Sequence, residues 1–237
     1  MKIYKNFNIS NKFKNAAIAI GNFDGFHLGH QRVIKRGKNL ARKYKLKFGL
    51  LVFHPLPVMF FNKKINNFRI DTLKQKIENS KKLGIDFIII KKFDKNFSRT
   101  SADNFISQIL HKKLKAKLIF ISQNFKFGKN RTGNINLLKK KERFFNYKTK
   151  TIDPLIKNKF IISSTLIRKN IKKGRIAFVN KMLGRPWTIE GNVKRGEKRG
   201  RKIGFPTCNL ELGDYVVPKA GVYSSKIILN ESLRKKG

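Results

Sequence analysis

The chain has 237 residues, among which 56 Lys and Arg outnumber 13 Asp and Glu to give a formal net charge of +43. Hydrophobic residues make up 40% and aromatic residues 11%, which excludes a disordered polycation and allows one large or two small domains with a buried core. A single cysteine excludes an internal disulfide, and no apolar run approaches the roughly 18 residues of a spanning helix, so we expect a cytoplasmic protein without a membrane anchor.

Up to residue 183, short apolar runs alternate with segments of helical spacing. The runs that predict strands are 16–20, 48–53, 86–90 and 118–121. The segments that predict helices are 31–44, 72–83, 101–111, 166–173 and 175–183. This alternation predicts an α/β domain over residues 1–183, with a parallel sheet covered by helices on both faces.

From residue 184 onward the composition changes. Seven glycines separate short runs such as 187–193 and 222–229. Such punctuation is typical of small antiparallel strands and turns and not of βα units. We expect a domain boundary near residue 183 and a second domain over residues 184–237.

The clearest local signal follows the first predicted strand, where residues 21–30 read Gly-Asn-Phe-Asp-Gly-Phe-His-Leu-Gly-His. In a parallel α/β sheet, ligands bind beyond the carboxyl ends of the strands, where helix N-termini present N–H groups to anions. His27 and His30 are three residues apart and can face one phosphate, and Gly29 leaves room for a close approach. The pattern therefore favours phosphate binding.

Two other interpretations of this segment stay open. It could be a tight turn with two surface histidines, or a metal-binding pair. The other histidines, His54 and His111, come with no cysteine or carboxylate cluster, which disfavours a structural zinc site. The segment is neither a Walker loop nor a dinucleotide fingerprint, so it does not indicate kinase or dehydrogenase chemistry.

Several segments resemble one family in order along the chain. The His-x-Gly-His signature at 27–30 resembles that of the nucleotidyltransferase superfamily, and residues 21–31 are similar to the FMN adenylyltransferase module of bacterial bifunctional FAD synthetases. The same module is resembled by Phe-His-Pro-Leu-Pro at 53–57, Asn-Phe-Lys-Phe-Gly-Lys at 124–129 and Ile-Ser-Ser-Thr-Leu-Ile-Arg at 162–168. Three later segments resemble the family's riboflavin kinase module: Gly-Arg-Pro at 184–186, Gly-Phe-Pro-Thr-Cys-Asn-Leu at 204–210 and Pro-x-x-Gly-Val-Tyr at 218–223.

The resemblance implies a Rossmann-like nucleotidyltransferase domain followed by a partial antiparallel β-barrel. It implies FAD biosynthesis, in which ATP and FMN give FAD and pyrophosphate, with Mg²⁺ held mainly by phosphate oxygens and water. It also implies that His27, His30 and Arg168 are catalytic and stabilise the phosphates. The residues implied to contact nucleotide or flavin are Gly21, Phe23, Asp24, Gly29, Asn124, Ser163, Ser164 and Thr165.

Three of these residues have simpler alternatives. Asp24 either organises the turn or approaches the metal ion. Ser164 is also consistent with a helix N-cap, and Arg168 with a solvated helix residue.

The positive charge suggests a rival function, because clustered cations neutralise nucleic-acid phosphates. However, 42 of the basic residues are Lys and 14 are Arg, the Lys are spread almost evenly, and Lys is the weaker residue for bidentate recognition. We expect only non-specific attraction to nucleic acid, and the sequence does not indicate an oligomeric state. A related nucleotidyltransferase with another acceptor is the second rival.

In the second domain, the resemblance implies riboflavin as a substrate and Thr207 and Asn209 as contacts to ATP and Mg²⁺. The family's kinase module runs further than this sequence, and no residue here matches its catalytic carboxylate. Glu231 lies in no matching motif. We therefore expect that this chain adenylylates FMN and does not phosphorylate riboflavin.

Overall fold

A six-stranded sheet forms the centre of the molecule. The computed structural model describes residues 1–157, 159–194, 204 and 209–228. The strands of the sheet are β1 (Lys2–Tyr4), β2 (Ala17–Ile20), β3 (Phe48–His54), β4 (Phe87–Lys92), β5 (Leu118–Ile121) and β6 (Lys148–Thr151). Their order is β1-β4-β3-β2-β5-β6, and every neighbouring pair is parallel. The predicted parallel α/β sheet is confirmed.

Helices cover both faces of this sheet, which explains why its central strands are apolar on both faces. The helices are α1 (Leu28–Lys43), α2 (Pro57–Phe61), α3 (Leu73–Lys82), α4 (Lys95–Ser98), α5 (Ala102–Asn104), which continues as a π-helix (Phe105–Lys113), α6 (Ile135–Phe145), α7 (Ser164–Lys172) and α8 (Ile176–Leu183). Residues of α1 and α3 pack in one core cluster, whereas the π-helix and α6 pack in a cluster that holds the alternate strand residues. All residues of β2 and β5 are buried between these two clusters.

A third cluster of buried side chains lies outside these two and joins α7 and α8. Ile167 and Ile171 of α7 pack there with Leu183 at the end of α8. Val216, far along the chain, is also fully buried in this cluster. Residues on both sides of the predicted domain boundary therefore share one core.

The chain order of the sheet creates a switch point at β2. The connection through α1 leads from β2 to β3 on one side, whereas β5 pairs with the other side of β2. In open α/β sheets, ligands bind in the crevice beyond the carboxyl ends of the strands at such a point. Gly21, the residue after β2, begins the segment that contains both motif histidines.

Each strand and helix predicted for residues 1–183 is present, and the bounds differ by at most three residues. Before α7, β7 (Ile156–Lys157) and β8 (Phe160–Ile161) form an antiparallel hairpin. Beyond residue 183, β9 (Val193–Lys194) pairs antiparallel with β10 (Asn209–Leu210). Among the described residues, no helix is both long and apolar enough to cross a membrane.

The expectation of strands over 187–193 and 222–229 was wrong for most of their described residues. Of 187–193, only Val193 belongs to a strand, and residues 222–228 form none. Ile227 and Ile228 are 73% and 81% exposed, so the apolar pattern there does not correspond to a buried strand face. Residue 229 lies outside the described residues.

Candidate functional site

The segment after β2 has an unusual backbone. Phe23, Gly25 and Phe26 have φ angles of +44°, +86° and +41°. Phe rarely adopts this region, and a Cβ atom at Gly25 would lie 2.9 Å from Cγ2 of the buried Ile70. Such a backbone persists only where the surrounding structure holds it. We call residues 22–26 the phosphate turn, after the ligand that the sequence predicts for this segment.

Asp24 fixes this turn from inside the protein. Its carboxylate is buried and accepts hydrogen bonds from the backbone N–H groups of Ile70 at 3.3 Å and Asp71 at 3.4 Å. It also accepts a 2.6 Å hydrogen bond from Nη2 of Arg168. Because both carboxylate oxygens are engaged within the chain, the structure favours the organising role of Asp24 over an approach to a metal ion.

The two motif histidines are stacked at the start of α1. Their ring centroids are 3.7 Å apart with an interplanar angle of 22°. His27 caps the helix, since its Nδ1 accepts a 3.3 Å hydrogen bond from the backbone N–H of His30. A Cβ atom at Gly29 would lie 3.0 Å from the His27 ring and 3.2 Å from the carbonyl oxygen of Ile162. Only glycine therefore leaves this pair undisturbed.

Burial keeps both imidazoles neutral. It lowers the pKa of His27 to about 4, against the opposing charge of Asp24. Burial, together with His27 and the Lys76 ammonium, lowers the pKa of His30 well below its usual range. Because Nδ1 of His27 accepts a hydrogen bond, its proton is on Nε2, which leaves an N–H donor for a ligand. Nδ1 of His30 is buried without a hydrogen-bond partner among the described residues.

The start of α7 lies against the phosphate turn. Ser163 is the N-cap, and its Oγ accepts a 3.2 Å hydrogen bond from the backbone N–H of Leu166. The Ser164 hydroxyl group donates a 2.8 Å hydrogen bond to the carbonyl oxygen of Asp24. Ser164 is thus a tether of the turn and not the cap, and Thr165 is exposed. The N-termini of α1 and α7 meet here, and helix N-termini favour anions.

Arg168 is not a solvated helix residue. Its side chain is 13% exposed and its guanidinium lies 3.8 Å above the Phe68 ring centroid. Its Nε donates a 2.8 Å hydrogen bond to the carbonyl oxygen of Phe68, and its Nη2 donates a hydrogen bond to the Asp24 carboxylate. Within the described residues Nη1 has no hydrogen-bond partner, so it is the nitrogen that a phosphate oxygen could use.

The remaining predicted site residues lie elsewhere. Asn124 is exposed in the loop after β5, where Phe125 stacks on the buried Phe127 at 5.7 Å between centroids. Thr207 lies outside the described residues. Asn209 is exposed in β10 and pairs with Lys194. The part of the chain that the structure describes has no group of three or more His, Cys, Asp or Glu that could hold a metal ion.

Three charged residues at the turn were missed by the sequence analysis. Lys76 of α3 is buried, and its Nζ donates 2.6 Å to the carbonyl oxygen of Asn22. Burial lowers the pKa of Lys76, an effect that Asp24 and Asp71 oppose. Asp71 is buried beside Arg185, and burial raises its pKa while Arg185 opposes the rise. Lys76 and Asp71 stand in no local motif, and the Gly-Arg-Pro motif at 184–186 was matched to the riboflavin kinase module, so it did not indicate that Arg185 contacts this turn.

The comparisons with known proteins agree with the motifs. A family model for FAD synthetase matches residues 9–166, and one for riboflavin kinase matches residues 183–236. A curated protein of Buchnera aphidicola subsp. Schizaphis graminum, named bifunctional riboflavin kinase/FMN adenylyltransferase, is 42% identical over 90% of this chain and 69% of its own length. This chain belongs to that family.

Other similar proteins are more distant in sequence. The Escherichia coli K12 bifunctional riboflavin kinase/FMN adenylyltransferase is 32% identical over 91% of this chain and 69% of its own length. A crystal structure described as a macrolide-efflux protein from Streptococcus pneumoniae has a TM-score of 0.80 at 28% identity, and the match covers 93% of this chain and 72% of that one. The family assignment rests on the family models and the curated relatives.

Proposed function

We propose that this chain transfers the adenylyl group of ATP to FMN and so produces FAD and pyrophosphate. The observation that carries the proposal is the stacked, neutral His27–His30 pair, placed between two helix N-termini at the switch point of the sheet. A phosphate-binding turn in this place fits a member of the FAD synthetase family. ATP, FMN and riboflavin are the small-molecule substrates that the family name implies.

The reaction needs binding and charge neutralisation more than a covalent nucleophile. An oxygen of the FMN phosphate attacks the α-phosphorus of ATP, and the bond from that phosphorus to the bridging oxygen of the β-phosphate breaks. The electron pair leaves with pyrophosphate. Nε2–H of His27, the ring N–H of His30, the backbone N–H groups at the starts of α1 and α7, and Nη1 of Arg168 are the donors that we assign to the phosphates.

We also propose the remaining contacts to the nucleotide and the flavin that the sequence predicts. We assign the nucleotide to the segment that contains Gly21, Phe23, Asp24 and Gly29 and to the hydroxyl groups of Ser163, Ser164 and Thr165. The exposed Asn124 is assigned to the flavin. Asp24 and Ser164 also fix the shape of the turn through their hydrogen bonds within the protein.

Mg²⁺ enters as the MgATP complex in this proposal. The engagement of both Asp24 oxygens supports an ion held mainly by phosphate oxygens and water. For the second domain, over residues 184–237, we propose riboflavin and ATP as ligands, with Thr207 and Asn209 as contacts to ATP and Mg²⁺. The riboflavin kinase match from residue 183 supports this boundary, and the single cysteine supports a cytoplasmic location.

The direct test is incubation with MgATP and FMN, followed by chromatography of the flavins. We expect FAD to appear with MgATP and not without it. A folded chain that forms no FAD would refute the proposed function. If the chain instead bound DNA with a steep salt dependence and formed no ATP-dependent product, the nucleic-acid rival would be favoured.

A further inference from the structure

The carbonyl groups of the phosphate turn are held by side chains from outside it. Four donors share this role, each from a different position in the chain. They are Lys76 Nζ to Asn22 O at 2.6 Å, Ser164 Oγ to Asp24 O at 2.8 Å, Arg185 Nη2 to Gly25 O at 3.2 Å and Gln31 Nε2 to Phe26 O at 2.9 Å. Four of the five carbonyl groups of the strained turn are therefore held by side chains.

Two of these donors connect the turn to the end of α8 and to the segment that follows it. Gln31 Nε2 donates a second hydrogen bond, at 2.9 Å, to the carbonyl oxygen of Leu183. Arg185 itself belongs to that segment. We call residues 183–188 the junction, since this segment begins at Leu183, the last residue of α8, and continues beyond the first predicted domain.

Arg185 is bound at the turn by two routes. Besides Gly25, its Nη2 contacts both carboxylate oxygens of Asp71, at 2.7 and 2.9 Å. The Asp71 side chain is fully buried and also accepts a hydrogen bond from Asn79 at 3.2 Å. The backbone N–H of Asp71 in turn donates to Asp24. Arg185 therefore acts on the turn directly and through the residue that holds Asp24.

The rest of the junction is anchored to the first domain. Nε1–H of Trp187 donates a 3.1 Å hydrogen bond to the carbonyl oxygen of Ile70. Its backbone N–H donates a 2.7 Å hydrogen bond to Oδ1 of Asn180. Gln75 of α3 donates 3.0 Å to the carbonyl oxygen of Thr188. The junction is thus a fixed element and can transmit position to the turn.

We propose that Arg185 is a positioning residue of the adenylyl-transfer site, so that the junction between the two domains completes the phosphate turn of the first. This inference rests on the proposed function. Loss of the guanidinium leaves Asp71 buried without its cation and frees the carbonyl group of Gly25. The turn then loses the shape in which the two histidines meet the phosphates.

The test compares Arg185→Ala with Lys181→Ala. Lys181 lies four residues earlier on α8 and is exposed, so its loss removes the same charge without touching the turn. For FAD formation by Arg185→Ala, we expect kcat/KM for ATP to fall by about 10-fold or more, because the groups that bind the phosphates are displaced. For Lys181→Ala, we expect kcat/KM to stay near the value of the parent chain. Added methylguanidinium should restore part of the activity of Arg185→Ala only.

Amide hydrogen exchange gives a readout that does not depend on catalysis. We expect faster exchange over residues 22–30 in Arg185→Ala, with β3 unchanged. If Arg185→Ala does not fold, Arg185→Lys takes its place, because it keeps the charge and loses the forked geometry. The inference would be overturned if the activity and the amide exchange of Arg185→Ala both matched those of the parent chain. It would also be overturned if activity fell but methylguanidinium restored none of it and exchange over residues 22–30 did not become faster. A parent chain that forms no FAD would refute the proposed function, while exchange would still decide whether Arg185 holds the turn.

Discussion

At the scale of single residues, the stacked histidines offer the sharpest test of the proposed chemistry. We expect His30→Ala to lower the rate of FAD formation by at least ~10²-fold, the usual effect of removing one contact to transition-state charge. The measurement is the initial rate with MgATP and FMN. His111→Ala is the control, because His111 is exposed and packs beside Phe145, away from the turn. Equal rates in both variants would show that the motif takes no part in the reaction.

The low pKa of His27 predicts how stability depends on pH. The folded pKa is about 4 and the ordinary value is 6.5, so between these values the unfolded chain binds a proton that the folded chain does not. The free energy of unfolding should therefore fall as the pH decreases from about 6.5 to 4, with a contribution from His27 of up to about 3 kcal/mol.

Urea unfolding at several pH values measures this dependence. His30 and His54, whose pKa values burial also lowers, add to the same slope, while Asp71 acts against it. The difference between the parent chain and His27→Gln gives the contribution of His27 together with its effect on the pKa of His30. We expect a shallower slope in the variant, and an unchanged slope would contradict the assigned neutral state.

At the scale of secondary-structure elements, α7 is held against the phosphate turn by Arg168 and Ser164. We expect Arg168→Ala to lower FAD formation by at least ~10²-fold and to reduce the free energy of unfolding by about 3–5 kcal/mol, because the Asp24 carboxylate stays buried without its cation. Lys169→Ala, at the next and exposed position, should leave both quantities near parent. Parent-like urea unfolding of Arg168→Ala would contradict the structural part of this role.

The strands that could be predicted from the sequence are those whose burial is uniform. β2 to β5 are apolar because helices cover both faces, so each is visible as an apolar run. β6 was not predicted, since its sequence is Lys-Thr-Lys-Thr and only Thr149 is buried at the sheet edge. β1, the other edge strand, has three residues, and α6 was missed although Ile135 and Leu138 have helical spacing.

The candidate site was predictable to the extent that its residues are adjacent in sequence. The histidine segment and the Ser-Ser-Thr segment were found because each forms one local motif. Lys76, Asp71 and Arg185 were not placed at the turn, because the hydrogen bonds that hold them there span between 47 and 160 residues of chain. Such contacts arise from tertiary packing and leave no local pattern.

At the scale of the whole molecule, the two predicted domains are interwoven near the site. The backbone of Arg69 exchanges hydrogen bonds with two later residues, accepting from Val216 at 2.9 Å and donating to Asp214 at 2.8 Å. Val216 is fully buried with Ile70 and Leu183 in the third core cluster. The later segment is therefore part of the support of the first domain, in agreement with the role that we infer for Arg185.

The net charge predicts a response of the whole fold to salt. With 56 basic and 13 acidic residues, most Lys and Arg side chains have no carboxylate to pair with, and the repulsion among them opposes the compact state. Of the ion pairs among the described residues, two have a buried carboxylate, Arg168–Asp24 and Arg185–Asp71, and salt screens such pairs little. Surface pairs contribute at most about 1 kcal/mol each, so their screening does not offset the reduced repulsion.

We therefore expect the thermal unfolding midpoint to rise between about 0.01 M and 0.1 M sodium chloride, a range over which the Debye length falls from ~30 Å to ~10 Å. Circular dichroism on heating measures the midpoint. Tetramethylammonium chloride at equal ionic strength is the control, since screening depends on ionic strength and not on the identity of the cation. A midpoint that stays constant or falls in both salts would show that repulsion among the Lys and Arg side chains does not limit the stability of this fold.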